Sequence, residues 1–261
     1  MRTLTAGIYQ FDIRQGAVDA NVQSALEGIS RLSDQGADLA VLPEMFSSSF
    51  DYPALSEHAQ KTPAIIDTLS KSAADKSFVV AGSLPELDGG KIYNTLYVIG
   101  KNGEVAGKYR KAHLFALIDE DQNLAPGRAA VICEAGGWRL GLMICYDLRF
   151  PELCRTLALK GAAIVIVSAQ WPAARIDHWD TLLRARAIEN QLFMVAANRY
   201  SREGDLIFNG HSQVVSPQGE VLAMSASPDS ALAARLDLAA IENFRHRFNC
   251  LSDRVPDVYE S

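Results

Sequence analysis

A chain of 261 residues that is 48% hydrophobic and 21% charged falls in the ordinary globular range, which argues against disorder and against a membrane-embedded protein. Its formal charge of −6 comes with dispersed basic residues, so no electrostatic footprint for nucleic acid is present and a small-molecule partner is expected. No apolar run approaches the roughly 20 residues that cross a bilayer, and the N-terminus MRTLTAGIYQFD lacks a signal-peptide core; the expectation is a cytoplasmic protein with no membrane partner.

In chain order, residues 3–11 form a short apolar strand. Val18, Val22, Ala25, Ile29 and Leu32 then recur at three- and four-residue spacing, which predicts one apolar stripe on a helix stopped near Gly36. Residues 38–42 (DLAVL) read as a buried strand ending in Pro43-Glu44. A looser stretch follows, then a helix over 63–76 and a strand over 77–83. Strand-like runs at 92–99 and 104–109 flank Lys101-Asn102-Gly103, and Asn-Gly between such runs signals a hairpin. The pattern continues with a strand at 138–144, a proline-opened helix at 151–160, a strand at 163–168, a helix at 177–191 and a strand at 192–198. A last hairpin turns at residues 216–219. Alternating strands and helices with interspersed hairpins predict an α/β fold with a mixed sheet covered by helices. No linker or repeat divides the chain, so one domain over 1–261 is expected, with 248–261 as a C-terminal tail.

The four cysteines, at 133, 145, 154 and 250, form no CxxC pair and no zinc-like spacing, so reduced thiols and no metal are expected. Cys145 stands at the end of an apolar strand, just ahead of a helix N-terminus whose N–H groups and dipole favour a thiolate. On location alone it reads first as a small buried hydrophobe. Glu44 occupies the matching place after another strand, and strand C-terminal ends are where α/β proteins gather their sites. A carboxylate in reach of a thiol can take its proton and return it to a leaving amine. Lys111, in the cluster Lys108-Tyr109-Arg110-Lys111, could hold a developing oxyanion, with the backbone N–H of Tyr146 as a second donor. His113, His178 and His211 suggest a Cys–His pair instead, which the Glu–Lys–Cys set makes unnecessary.

The segments LPEMF (42–46), KYRKAHLF (108–115) and GLMICYDLRFPEL (141–153) resemble, in that order, the Glu, Lys and Cys signatures of the nitrilase superfamily. Asn94-Thr95, Pro126-Gly127, residues 178–191 and Gly210-His211-Ser212 extend the resemblance over essentially the whole chain. It implies a four-layer α-β-β-α sandwich, a homodimer, no cofactor, and a thiol hydrolase acting through a thioester. In it Cys145 is the nucleophile, Glu44 the general base and Lys111 the stabiliser of the oxyanion. It also implies a second carboxylate in the loop before Pro126-Gly127, for which Glu120 is chosen, with Asp119 and Asp121 as alternatives.

Within the superfamily, CYDLRFPEL, HWDTLLRARAIENQ and SDRVPDVY look most like the ω-amidases, which hydrolyse the terminal amide of 2-oxo acid monoamides such as 2-oxoglutaramate and 2-oxosuccinamate. Such substrates carry an α-carboxylate, for which Arg149 and Arg175 are candidate partners. Arg149 reads equally as a member of a structural ion pair. Trp171 and Phe46 are candidate apolar walls, although each residue type is more often packing. The rival readings on the same scaffold are an N-carbamoyl amine amidohydrolase, a deaminated-glutathione amidase and a nitrilase. Rivals of other classes are a metal-dependent hydrolase and a non-catalytic binding protein.

Overall fold

The structure, a computed structural model, describes residues 3–225 and 227–258. The chain first builds β1 (Thr3–Gln10) and α1 (Val18–Asp34). The stripe on α1 is buried as its spacing predicts, at Val18, Ala25, Ile29 and Leu32. After β2 (Leu39–Val41) comes α2 (Leu55–Lys76), longer at its start than the sequence suggests because Pro63 lies inside it. Pro63 sits on the exposed side of α2, and the helix continues through it. Next come β3 (Val79–Asp88), β4 (Lys91–Ile99) and β5 (Val105–Arg110). The β3–β4 hairpin, not read from the sequence, turns on Gly89 and Gly90 at φ 55° and 75°, a left-handed pair that only glycine adopts without strain.

The second half runs through α3 (Glu120–Asn123), β6 (Ile132–Ala135), β7 (Trp138–Ile144), α4 (Pro151–Leu159), β8 (Ile164–Ala169), α5 (Ile176–Asn190) and β9 (Phe193–Asn198). A two-stranded ribbon follows, β10 (Tyr200–Glu203) with β11 (Leu206–Asn209). Then come β12 (Gln213–Val215), β13 (Val221–Met224), β14 (Ser230–Asp237) and α6 (Ala239–Arg247). Phe248 and Cys250 are held at the end of α5, where Gln191 Nε2 donates to the Phe248 carbonyl and Cys250 Sγ lies 3.7 Å from the Glu189 carbonyl, while Arg245 of α6 donates to the carbonyls of Asn190 and Gln191. The last three residues of the expected tail, 259–261, lie outside the described residues.

Two six-stranded sheets result, in the orders β14-β1-β2-β3-β4-β5 and β13-β12-β9-β8-β7-β6. Each has three parallel strands at its centre, β1-β2-β3 and β7-β8-β9, and antiparallel strands outside them. The sheets face one another, with α1 and α2 on the outer face of the first and α4 and α5 on the outer face of the second. This is the four-layer α-β-β-α sandwich. Strand β2 shows why its run is apolar throughout: Leu39 and Val41 point into the core between the sheets, whereas Ala40 and the following Leu42 point toward α1 and α2. Burying each such Leu or Val is worth about 1.5–3 kcal/mol, so both faces favour this pairing register.

Candidate active site

Four chain segments end at one place along the seam between the sheets. Leu42 N–H makes the last ladder-like bond to Ala81, and Pro43, which has no N–H, stops β2 there. The next residue, Glu44, crosses the seam, with its N–H on the Ala169 carbonyl at 3.3 Å. Ser168 Oγ also donates across, to the Leu42 carbonyl at 2.8 Å. Lys111 directly follows β5 and keeps its N–H on the Asn94 carbonyl at 2.8 Å. Cys145 directly follows β7, in a left-handed conformation at φ 44°, and opens a short 3-10 turn over Cys145–Arg149 ahead of α4. A non-glycine residue in that conformation costs on the order of 1–3 kcal/mol and needs its surroundings to hold it.

Asp147 does the holding. Its fully buried carboxylate accepts from Ile144 N–H at 2.9 Å and Tyr109 O–H at 2.7 Å on one oxygen, and from His113 N–H at 3.0 Å on the other. His113 Nδ1 lies 2.7 Å from that second oxygen and donates to it when it carries the proton. One side chain therefore fixes the residue before Cys145 and the residues two positions to either side of Lys111.

The polar centre is buried and mutually satisfied. Glu44, Lys111 and Glu120 are 0%, 1% and 1% exposed. Lys111 Nζ donates to Glu44 Oε1 at 2.8 Å and to Glu120 Oε1 at 2.6 Å. Glu44 also accepts from Asn94 Nδ2 at 2.7 Å and, on its other oxygen, from Gln170 N–H at 2.9 Å. Glu120 accepts from Phe115 N–H at 2.9 Å. Of the three acidic residues in that loop, Glu120 is the one turned inward against Lys111; Asp119 and Asp121 are not buried. Burial alone would lower the Lys111 ammonium, but Glu44 and Glu120 hold it well above its ordinary value. Burial raises Glu120, against the pull of Lys111. It also pushes the Cys145 thiol well up, and the Glu44 charge adds to the effect. This direction runs against the sequence expectation of a thiolate favoured by the helix N-terminus. Desolvation and a neighbouring carboxylate act against the helix dipole and raise the thiol.

These groups lie in the wall of a cleft of about 840 Å³, counting its open mouth. Tyr146, Arg149, Trp171 and Arg175 line it, as expected from the sequence. Phe46 does not. Its ring packs on the far side of the first sheet, in the core under α1 and α2, close enough to Gly82 that a Cβ there would stand 3.1 Å away. Met45, left-handed at φ 44°, turns the chain between Glu44 and Phe46 and sends their side chains apart. The apolar walls come instead from Phe50, Tyr52, Phe115, Leu206 and Phe208, none of which the sequence singled out. Gln170 and Glu203 were missed as well, since only the meeting of separate segments places them. Asn94 was visible only as part of a familiar-looking stretch.

Arg149 lies 4.6 Å over the Trp171 ring and 3.4 Å from His178 Nδ1, and Arg175 lies 5.5 Å from the Phe115 ring centre. Neither has an ion-pair partner among the described residues, so the structural ion pair considered for Arg149 is not formed. Burial and the Arg175 charge lower the Arg149 guanidinium from its ordinary value. Two unneutralised cations thus share one cleft. No histidine lines it: His113 pairs with Asp147 and stacks on Phe150 at 3.7 Å, His178 faces Arg149, and His211 lies 3.0 Å from Asp180. Among the described residues no group of three or more His, Cys, Asp or Glu could hold a metal ion, and no helix is long and apolar enough to cross a membrane.

The family model for carbon-nitrogen hydrolase matches residues 5–246. A 2-oxoglutaramate amidase of Bacillus subtilis (strain 168) is 37% identical over 257 residues, which cover 98% of this chain and 99% of that protein. The omega-amidase NIT2 of Bos taurus is 34% identical over 255 residues, covering 92% and 91%. Among solved structures, a mutant of the amidase from Nesterenkonia sp. AN1 superposes with a TM-score of 0.89 at 28% identity, covering 98% and 95%. It shows covalent addition of the acetamide moiety of fluoroacetamide at the active-site cysteine.

Proposed function

The chain belongs to the carbon-nitrogen hydrolase family, and on that footing we propose that it is an ω-amidase hydrolysing the terminal amide of a small 2-oxo acid monoamide, of the 2-oxoglutaramate or 2-oxosuccinamate type. The observation that carries this reading is the joining, in one cleft, of a buried Cys–Glu–Lys–Glu centre and two arginines without carboxylate partners. The first suits an uncharged amide. The second suits a carboxylate at the far end of the same molecule. The likeness to the Bacillus subtilis 2-oxoglutaramate amidase and to omega-amidase NIT2 supports the same substrate class.

In the mechanism, Glu44 takes the Cys145 proton as the sulfur attacks the amide carbon. Burial and the Glu44 charge raise the thiol, which favours proton transfer to Glu44 in step with attack. The oxyanion of the tetrahedral intermediate is held by Lys111 and the Tyr146 N–H. The C–N bond breaks, the nitrogen takes the proton back from Glu44, and ammonia leaves behind a thioester. Glu44 then removes a proton from water, which attacks the thioester; the second intermediate collapses, the proton returns to sulfur, and the carboxylic acid departs. Glu120 shares the Lys111 ammonium and keeps it charged and aimed. Asn94 and the Gln170 N–H occupy lone pairs of Glu44 and fix its orientation. No step calls on a metal or organic cofactor.

The match of the family model over 5–246 supports a single hydrolase domain, and the superfamily resemblance supports a homodimer. Ammonia release from 2-oxoglutaramate, compared with simple nitriles, N-carbamoyl amines and deaminated glutathione, tests the substrate. Turnover of the 2-oxo acid amide is expected to exceed the others by at least ~10-fold in kcat/KM, the scale of one charge-assisted contact. An inert oxo-acid amide beside an active carbamoyl compound would overturn the reading.

A further inference from the structure

We propose that Glu203 is the specificity-determining residue for the carbon next to the substrate's carboxylate, and that it admits ω-amides bearing an ammonium or hydroxyl group there. The inference rests on the ω-amidase reading, with Arg149 and Arg175 as the carboxylate site. Glu203 ends β10 and is paired with Leu206 of β11, and both side chains line the cleft together with Phe208. Strand β11 packs against the Ala173–Arg175 turn, so the wall carrying Arg175 and the wall formed by the ribbon adjoin. A group one bond away from a carboxylate held at that turn meets the ribbon next. Leu206 and Phe208 offer it only apolar surface; Glu203 offers oxygen.

The state of that oxygen is specific. Glu203 Oε2 is taken, by Arg199 Nη1 at 2.7 Å and Ser49 Oγ at 2.9 Å. Among the described residues Oε1 has no hydrogen-bond partner, and the side chain is 25% exposed. Arg199 is 1% exposed and spends its charge internally, on Glu203, on Gln170 Oε1 at 2.8 Å and on the Ile13 carbonyl. It therefore fixes the Glu203 side chain without competing for substrate. A donor on the substrate gains a charge-assisted bond to Oε1, whereas a 2-oxo oxygen, an acceptor, gains nothing from it. Glu203 thus broadens the cleft toward 2-amino and 2-hydroxy acid amides.

The experiment is an internal competition between L-glutamine or 2-hydroxyglutaramate and 2-oxoglutaramate, in one tube, for the wild-type protein and Glu203→Gln. The amide keeps the shape of the side chain and removes its charge. The kcat/KM ratio of donor-bearing to oxo substrate is expected to fall about 10- to 100-fold in the variant. Because the ratio cancels the active fraction, it stays readable even if loss of the Arg199 counter-charge lowers the folded population. A ratio within about threefold of wild type, or no wild-type turnover of either donor-bearing amide, overturns the role of Glu203. An equal fall in Leu206→Ala would assign the effect to wall shape and overturn it too. A wild-type protein inert toward all three amides overturns the ω-amidase reading itself, which separates the two failures.

Discussion

Replacing Asp147 with Asn tests whether one carboxylate sets the geometry of the whole centre. Every group facing it is a donor: Ile144 N–H, Tyr109 O–H, His113 N–H and the His113 ring. In Asp147→Asn the amide oxygen can serve the two His113 bonds, which leaves the NH2 pointing at Ile144 N–H and the Tyr109 hydroxyl. The hydroxyl can rotate to accept. The Ile144 N–H cannot, so one buried donor loses its partner at a cost of about 1–3 kcal/mol, and the bonds that remain lose their charge assistance at about 1 kcal/mol more. A stability loss of roughly 2–4 kcal/mol follows, read as a shift of the urea midpoint at unchanged slope. The catalytic effect is separate. With Ile144 released, the strained left-handed Cys145 is free to relax, and a displacement of about 1 Å from the attack position costs on the order of 100-fold in rate. The assay is kcat and KM for 2-oxoglutaramate on enzyme whose Cys145 has been titrated, below the unfolding range. The expected result is a kcat lower by about two orders of magnitude with KM within about threefold. Full kcat per titrated thiol in a destabilised protein would refute the positioning argument and leave Asp147 a stabilising group only.

Cys145→Ala should lower amide hydrolysis by at least ~1,000-fold and remove the iodoacetamide adduct from the 141–153 peptide; unchanged turnover would exclude the nucleophile. Arg149→Ala and Arg175→Ala should each raise KM for 2-oxoglutaramate by about 10-fold or more while leaving a small uncharged amide within about threefold, and equal losses on both substrates would argue against a carboxylate site. Glu86, held by Arg110 at 2.8 Å, Lys108 at 2.6 Å and Thr95 at 2.7 Å, is buried, yet these partners bring its carboxyl down from 4.5 to about 2. A depressed acid stabilises the fold above its unfolded value and loses that contribution as pH falls toward its folded one. Wild-type stability should therefore drop between pH ~4.5 and ~2 by about 1–2 kcal/mol more than that of Glu86→Gln, and parallel acid curves would remove Glu86 as the cause.

The parallel strands were the most legible part of the fold. Strand β7 coincides with its expected span over 138–144, because a strand covered on both faces is apolar at every position and is bounded by polar turns. Hairpins with a partly exposed face left a weaker signal. Gly89-Gly90 was an available turn marker, but β14 alternates unevenly and pairs with β1 at the opposite end of the sequence, a contact no local pattern announces. The sequence reading starts helix α2 at Pro63 by giving proline its usual meaning as a boundary, whereas the helix begins at Leu55 and runs through it. At the site, Glu44, Lys111, Cys145 and Glu120 were visible through the segments around them, and the structure brings them together. Phe46 failed because adjacency to Glu44 carries no information about which side of the sheet a residue faces once Met45 reverses the chain. Gln170, Glu203 and the ribbon residues are ordinary in sequence, and their meaning comes from distance in space.

Glu44 and Lys111 belong to the first sheet, and Cys145 and Gln170 to the second. The sandwich thus acts as a calliper, with the gap between its jaws set by interior side chains such as Val41, Leu142 and Ile166, none of which lines the cleft. Changing the thickness of that interior by a single methylene would alter the spacing between base and nucleophile without touching substrate. Turnover therefore doubles as a gauge of sheet-to-sheet separation, and substitutions remote from the cleft should register in kcat before they register in KM.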